Sequence, residues 1–300
     1  MFRVEKIASL DLPELAPYRT LRRAAEHQSQ GIFVAEGDKV VKRLLESHFG
    51  VVSVLLPENR VAEFEPLLKA RPEKEISVFA VTKKSVLEEL IGFEMFQGIL
   101  AIGKIPETVT LEKILGDSPG PKLFAAVDGL TNAENIGLLV RNCAAFGVHA
   151  LIVGETSSSP FLRRAVRNSM GTIFQLPVVE LAKLGQRHQF TTKPHVTKLT
   201  LAECLCELRR RGVRCLAAHP HTDKKLLSQA DFSGDCCIVF GSEGDGLSQK
   251  VLESCDEAVA IPMPPAVDSL NVGAAAAVFL YEASRQRSQP QIAGQISTAT

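Results

Sequence analysis

From Lys122 onward the chain repeats one unit, a short apolar run, a loop and a helical stretch. Phe124-Ala125-Ala126-Val127 reads as a strand, and Ile136 to Phe146 carries its apolar residues at helical spacing. Ala150-Leu151-Ile152-Val153 is the next strand, followed by a helical Phe161 to Met170. Val213 to Ala217, Cys236 to Phe240 and Ala258 to Ile261 look like further buried strands. Strands alternating with helices bury their faces as a parallel sheet covered by helices, so 122–287 is expected to be one α/β domain.

At 300 residues the chain is long enough for about two domains. Residues 1–105 form a small α/β layer of their own. Its β-like runs are Val51 to Leu56, Ser77 to Val81 and Gly98 to Ile102, with helical stretches at Asp38 to Ser47 and Lys84 to Leu90. Gly116-Asp117-Ser118-Pro119-Gly120-Pro121 is too dense in helix breakers to continue either element, so 106–121 is expected to be a linker, with a short helix over Val109 to Leu115. Two polar stretches stand apart. The basic, aperiodic 184–200 is expected to be a surface loop, and 288–300 a disordered tail.

Composition removes several classes. With 45% hydrophobic and 23% charged residues the chain is an ordinary soluble globular protein. No apolar run approaches the roughly 18 residues of a membrane span, and Met1-Phe2-Arg3-Val4-Glu5-Lys6 lacks a signal peptide's apolar core, which implies the cytoplasm. None of the seven cysteines forms a C-x-x-C pair, so they are expected to be reduced structural thiols, with no metal bound. Zero net charge gives no global sign of nucleic acid, so any such contact must come from local clusters. These are Arg19/Arg22/Arg23, Arg163/Arg164/Arg167 and Arg209/Arg210/Arg211 with Arg214, each of which, taken alone, reads more readily as a solvated helix face than as a phosphate contact.

Three motifs carry chemistry. In the first, Asp128-Gly129-Leu130-Thr131-Asn132 leads into a helix where Asn135 is expected to cap the first turn and Arg141 follows in an otherwise apolar stretch. A lone arginine there can also simply extend to water. In the second, the strand Ile238-Val239-Phe240 runs into Gly241-Ser242-Glu243-Gly244-Asp245-Gly246, where glycine lets backbone approach a ligand. It has neither the P-loop spacing nor the dinucleotide fingerprint, and taken alone it reads equally as a simple tight turn. The third, from Ile261 through the prolines to Ser269-Leu270-Asn271, holds an extended loop before an alanine-rich helix.

In this order and separation the three motifs resemble the SpoU (TrmH) family of SPOUT RNA 2′-O-methyltransferases, over roughly Leu123 to Arg287. Phe33 to Gly37 and Phe96 to Ile99 resemble that family's N-terminal RNA substrate-binding domain. The resemblance implies a trefoil knot whose loops bind S-adenosylmethionine through Gly241, Ile261 and Leu270, with Asn271 nearby. It implies that Arg141 is the catalytic arginine, with Asn135 and Glu243 as neighbouring polar groups. It further implies a homodimer with the active site near the subunit interface. Asn132-Ala133, where many members have proline second, and Gly273, where serine or alanine is common, depart from the pattern. RNA would be held by Arg22, Arg23, Arg163, Arg164 and Arg167, with ribosomal RNA favoured over transfer RNA. Because a guanidinium does not give up its proton near neutral pH, Arg141 is expected to clamp a phosphate, itself fixed by Glu243 or Asn135. The rival readings are a non-catalytic RNA-binding protein on the same scaffold and a Rossmann-type oxidoreductase.

Overall fold

The computed structural model describes residues 2–91, 98–116, 120–181, 199–220 and 225–288. The stretch 184–198 of the expected surface loop, residues 289–300 of the expected tail, and Phe96-Gln97 lie outside the described residues.

The chain divides into two compact units, the first being Met1–Glu107 together with Pro160–Gln175. Its elements run β1 (Phe2–Ile7), α1 (Ala16–Arg19), α2 (Ala24–Ser29), β2 (Ile32–Glu36), α3 (Asp38–Glu46), β3 (Val51–Pro57), α4 (Val61–Lys69), β4 (Ile76–Val81), α5 (Lys84–Ile91) and β5 (Leu100–Lys104). The sheet order is β1-β4-β3-β5-β2, with β5 antiparallel to both neighbours and the other pairs parallel. Leu55, Phe79 and Leu100 pack around the buried Tyr18, whose hydroxyl is 2.8 Å from Ser53 Oγ. Behind the sheet, Arg71 is buried and donates to the carbonyls of Leu45 and Phe49 and to the Glu73 carboxylate, tying the end of α3 to the approach to β4.

In the second unit come α6 (Leu111–Gly116), β6 (Leu123–Val127), α7 (Ala133–Ala145) and β7 (Ala150–Val153). The chain then passes through α8 (Arg163–Asn168), which belongs to the first unit, before β8 (Val178–Glu180). Pro160–Gln175, within the stretch 122–287 expected to be one domain, thus packs with the first unit. The reason is chemical: Arg163 and Arg167 both pair with Glu36 at the end of β2, at 2.8 and 2.9 Å, while Phe161 and Phe174 pack on Phe33. Facing them across the strand pair, Gly103 leaves room for the Phe33 ring, since a β-carbon there would lie 2.3 Å from it.

After β8 follow α9 (Leu201–Arg210), β9 (Arg214–Ala218), β10 (Cys236–Phe240), α10 (Gln249–Glu253), β11 (Glu257–Val259) and α11 (Val272–Arg287). All six strands are parallel, in the order β11-β9-β10-β6-β7-β8. The expected parallel α/β sheet is present. The central strands are apolar on both faces because helices cover both: Phe124, Ala126, Cys237 and Val239 face a core shared with α9, while Phe240 packs against Phe279 of α11. Helix α9 opens on a capping box in which Thr200 and Glu203 satisfy each other's backbone amides. At the far end of α11, Arg287 donates to the carbonyls of Pro121, Lys122, Phe232 and Gly234.

Candidate active site at the strand ends

Parallel strands deliver all their carboxyl ends to one edge of a sheet, and ligand sites of open α/β sheets lie outside that edge. Here the segments following β9, β10 and β11 enclose a cavity of about 350 Å³. Its wall comprises His219, the loop 241–247, Ile261, Met263 and Asp268–Leu270, and α11 closes the back with Val272, Ala275 and Phe279. A space of this size with a mostly apolar floor and a polar rim suits a small cofactor.

The 241–247 loop is held in a tight shape. Ser242 and Gly246 exchange backbone hydrogen bonds of 3.0 and 3.1 Å, and the Asp245 amide donates to Ser242 Oγ at 3.1 Å. Gly246 adopts the left-handed conformation at φ +68°. Gly241 cannot carry a side chain: a β-carbon would sit 2.2 Å from the Gly246 carbonyl carbon. Backbone approaches backbone here, which is the condition expected of a loop that cradles a ligand with main-chain groups.

Beside the cavity, α7 and α11 are joined by a run of amides. The N-cap of α7 is Asn132, not Asn135: Asn132 Oδ1 accepts from the amides of Glu134 and Asn135 at 2.8 and 3.3 Å. Asn135 lies three residues inside the helix, so its buried side chain is free to accept instead from Asn271 Nδ2 at 3.1 Å. Asn271 in turn caps α11 by accepting from the Gly273 amide at 2.9 Å, and Asn142 Nδ2 donates to the Gly273 carbonyl at 2.7 Å. Gly273 packs under α7, where a β-carbon would come 3.1 Å from Leu138 Cβ.

The expected site residues therefore separate into groups. Gly241, Glu243, Ile261 and Leu270 line the cavity; Asn271, Asn135 and Arg141 do not. Arg141 is exposed and has no hydrogen-bond or ion-pair partner among the described residues, so neither Glu243 nor Asn135 fixes it within one chain. It shares the outward side of α7 with Leu138, 40% exposed, while α11 exposes Val278 and Tyr281 at 40% and 58%. Of the basic residues, Arg163 and Arg167 are engaged by Glu36, and Arg23 pairs with Glu26 at 3.6 Å. Arg22 and Arg164 are exposed and unpaired among the described residues. Every arginine of the third cluster is ion-paired: Arg209 with Asp256, Arg210 and Arg211 both with Glu207, Arg214 with Glu257. All seven cysteines are free thiols. Burial pushes Cys204 up to about 12 and Cys236 up to about 11, so neither is a nucleophile at neutral pH.

His219, Asp268 and Ser269 line the cavity without having been singled out as site residues. The signal was available, because each follows a strand run on the ligand-facing edge of a parallel sheet. Among the described residues, no helix is long and apolar enough to cross a membrane.

Known proteins align with this architecture. The family model described as the SpoU rRNA Methylase family matches residues 122–281. The uncharacterized tRNA/rRNA methyltransferase Rv0881 of Mycobacterium tuberculosis is 30% identical over 290 residues, covering 94% of this chain and 92% of that protein. The 23S rRNA (guanosine-2′-O-)-methyltransferase RlmB of Ralstonia nicotianae is 32% identical over 203 residues, covering 67% of this chain and 74% of its own. The crystal structure of the SpoU methyltransferase AviRb from Streptomyces viridochromogenes superposes with a TM-score of 0.71 at 25% identity, over 90% of this chain and 96% of that one. Its complex with the cofactor AdoMet shares the fold at a TM-score of 0.73 and 24% identity, over 92% of this chain and 99% of that one. With the glycine-tight loop, the capped α11 and the parallel sheet lying inside the matched region, the chain belongs to the SpoU rRNA methylase family.

Proposed function

We propose that this protein transfers a methyl group from S-adenosylmethionine to a ribose 2′-hydroxyl of RNA, with ribosomal RNA as the substrate class. The observation that carries the reading is the cavity at the ends of β9, β10 and β11, closed by a loop in which Gly241 admits no side chain. Its volume of about 350 Å³ and its backbone-rich wall fit a nucleoside-sized donor, held by the 241–247 loop, Ile261 and Leu270. The donor brings an electrophilic methyl on a sulfonium. Support for ribosomal RNA comes from the RlmB relative, named for 23S rRNA. The seven free thiols suit the reducing cytoplasm as the place of action.

The same reading includes a trefoil knot and a homodimer. Strand β10 inserts between β6 and β9, and α11 packs on α7 and β10, an arrangement that supports a knotted C-terminus. The exposed Leu138, Val278 and Tyr281 form an apolar face suited to a second copy. In such a dimer the partner's Arg141 completes the site. Its fixed positive charge and planar donor fork hold an RNA phosphate and orient the adjacent hydroxyl. Glu243, exposed on the cavity rim, accepts a hydrogen bond from a donor arriving there. Of the five arginines expected to hold RNA, Arg22 and Arg164 are unpaired among the described residues and are the ones left to meet phosphates, while Arg163 and Arg167 are engaged by Glu36.

Ribose-methylation mapping of total RNA with and without the gene tests the reading. Loss of one 2′-O-methyl mark on ribosomal RNA is expected, and an unchanged map overturns it. In vitro, Arg141→Lys keeps the charge and loses the fork. Its turnover is expected to fall by roughly a hundredfold with RNA affinity little changed, and near-normal turnover sinks the clamp.

A further inference from the structure

Asp128 follows the last residue of β6 and lies outside the cavity lining. Its side chain is buried and forms no ion pair among the described residues. A carboxylate in that position must be held by hydrogen bonds, and its partners show where it acts. The Asp128 amide donates to the Phe240 carbonyl at 2.9 Å, and its Oδ2 accepts from the Ser248 amide at 2.8 Å. Phe240 and Ser248 are the residues flanking the 241–247 loop on either side. One residue thus grips both feet of the loop. Its other oxygen accepts from Thr156 Oγ1 at 3.3 Å, and that hydroxyl accepts from the Gly129 amide at 3.1 Å, which orients the carboxylate from the side of β7. Between these feet lie the Ser242–Gly246 bonds and the Gly241 contact that give the cavity its wall.

We propose that Asp128 is a positioning residue for methyl-donor binding: it sets the separation of the loop's two ends, and through them the shape of the donor cavity. This rests on the cofactor reading above. The role is geometric, so an acceptor of the right reach is required and the charge is secondary.

Hydrogen exchange on the donor-free protein and calorimetric titration with S-adenosylmethionine test it in three variants. In Asp128→Ala the Ser242, Asp245 and Gly246 amides are expected to exchange about tenfold faster, with α7 unchanged and donor affinity down about tenfold. The KM for RNA is expected to stay within about twofold. Asp128→Asn keeps an acceptor for Ser248 at the same reach and is expected to recover most of the affinity. Asp128→Glu keeps the charge but is one methylene too long, and is expected not to. A folded alanine variant with ordinary loop exchange and donor affinity overturns the proposal. Should the alanine variant not fold, the other two decide: glutamate binding as well as asparagine, or both as weakly as each other, overturns it. If the wild-type protein binds no S-adenosylmethionine while the exchange rates respond as stated, the cofactor reading fails and the tether stands.

Discussion

At Gly241 one missing atom keeps the cavity open. Any larger residue drives a β-carbon into the Gly246 carbonyl, and because the obstacle is backbone no side chain can swing aside. Gly241→Ala is expected to lower S-adenosylmethionine affinity by at least about tenfold, read by calorimetry, with the fold retained by circular dichroism. A second residue-scale expectation concerns the first unit. Burial would raise the Glu73 carboxyl, but hydrogen bonds from Arg71 and the Val51 amide outweigh it and bring it down to about 2. A carboxyl depressed on folding stabilises above its unfolded value, ordinarily near 4.5, and loses that contribution as pH falls toward 2. Glu73→Gln is therefore expected to lower unfolding stability by about 2 kcal/mol at pH 7. In denaturant titrations the gap to wild type should close between pH 5 and pH 2; a constant gap refutes the assignment. The glycine-rich turn was legible because a glycine cluster after an apolar run has few other uses. The capping residue was misread because Asn132 and Asn135 are the same amide three residues apart, and what separates them is Asn271, far along the chain. Asp128 carries no local signal, since both of its loop contacts are long-range.

Helices α7 and α11 bury one side against each other and the sheet, yet each leaves apolar residues on the other side. A helix that is apolar beyond its buried stripe has another surface to meet. If that surface is a second copy, Tyr281→Glu together with Val278→Asp is expected to shift the protein from dimer to monomer in sedimentation, and to abolish methyl transfer while donor binding survives. A variant that stays dimeric excludes this face. Strands β3, β4, β6, β7 and β10 could be read from their apolar runs. Strand β1 could not, because this edge strand exposes Arg3 and Val4, and β8 spans only Val178–Glu180. Helix α9 was legible and missed: Leu201, Cys204, Leu205 and Leu208 recur at helical spacing behind a Thr-x-x-Glu cap.

On the scale of the whole molecule, alternation of strands and helices announced a parallel sheet, but strand order is a property of pairing between distant segments and leaves no periodic trace. The exchange of 160–175 to the first unit was equally hidden, since it depends on Glu36 meeting Arg163 and Arg167. The order β9-β10-β6 also has a consequence in time. Before β10 exists, β6 is an edge strand with its backbone donors and acceptors open on one side. The link that closes this edge, from the Lys122 amide to Asp235, spans 113 residues of sequence. At roughly 5–20 residues per second, the ribosome needs on the order of ten seconds to supply them. Through that interval the nascent chain presents one unpaired, wholly apolar edge, so its synthesis, more than its finished fold, is the stage at which chaperones have something to hold.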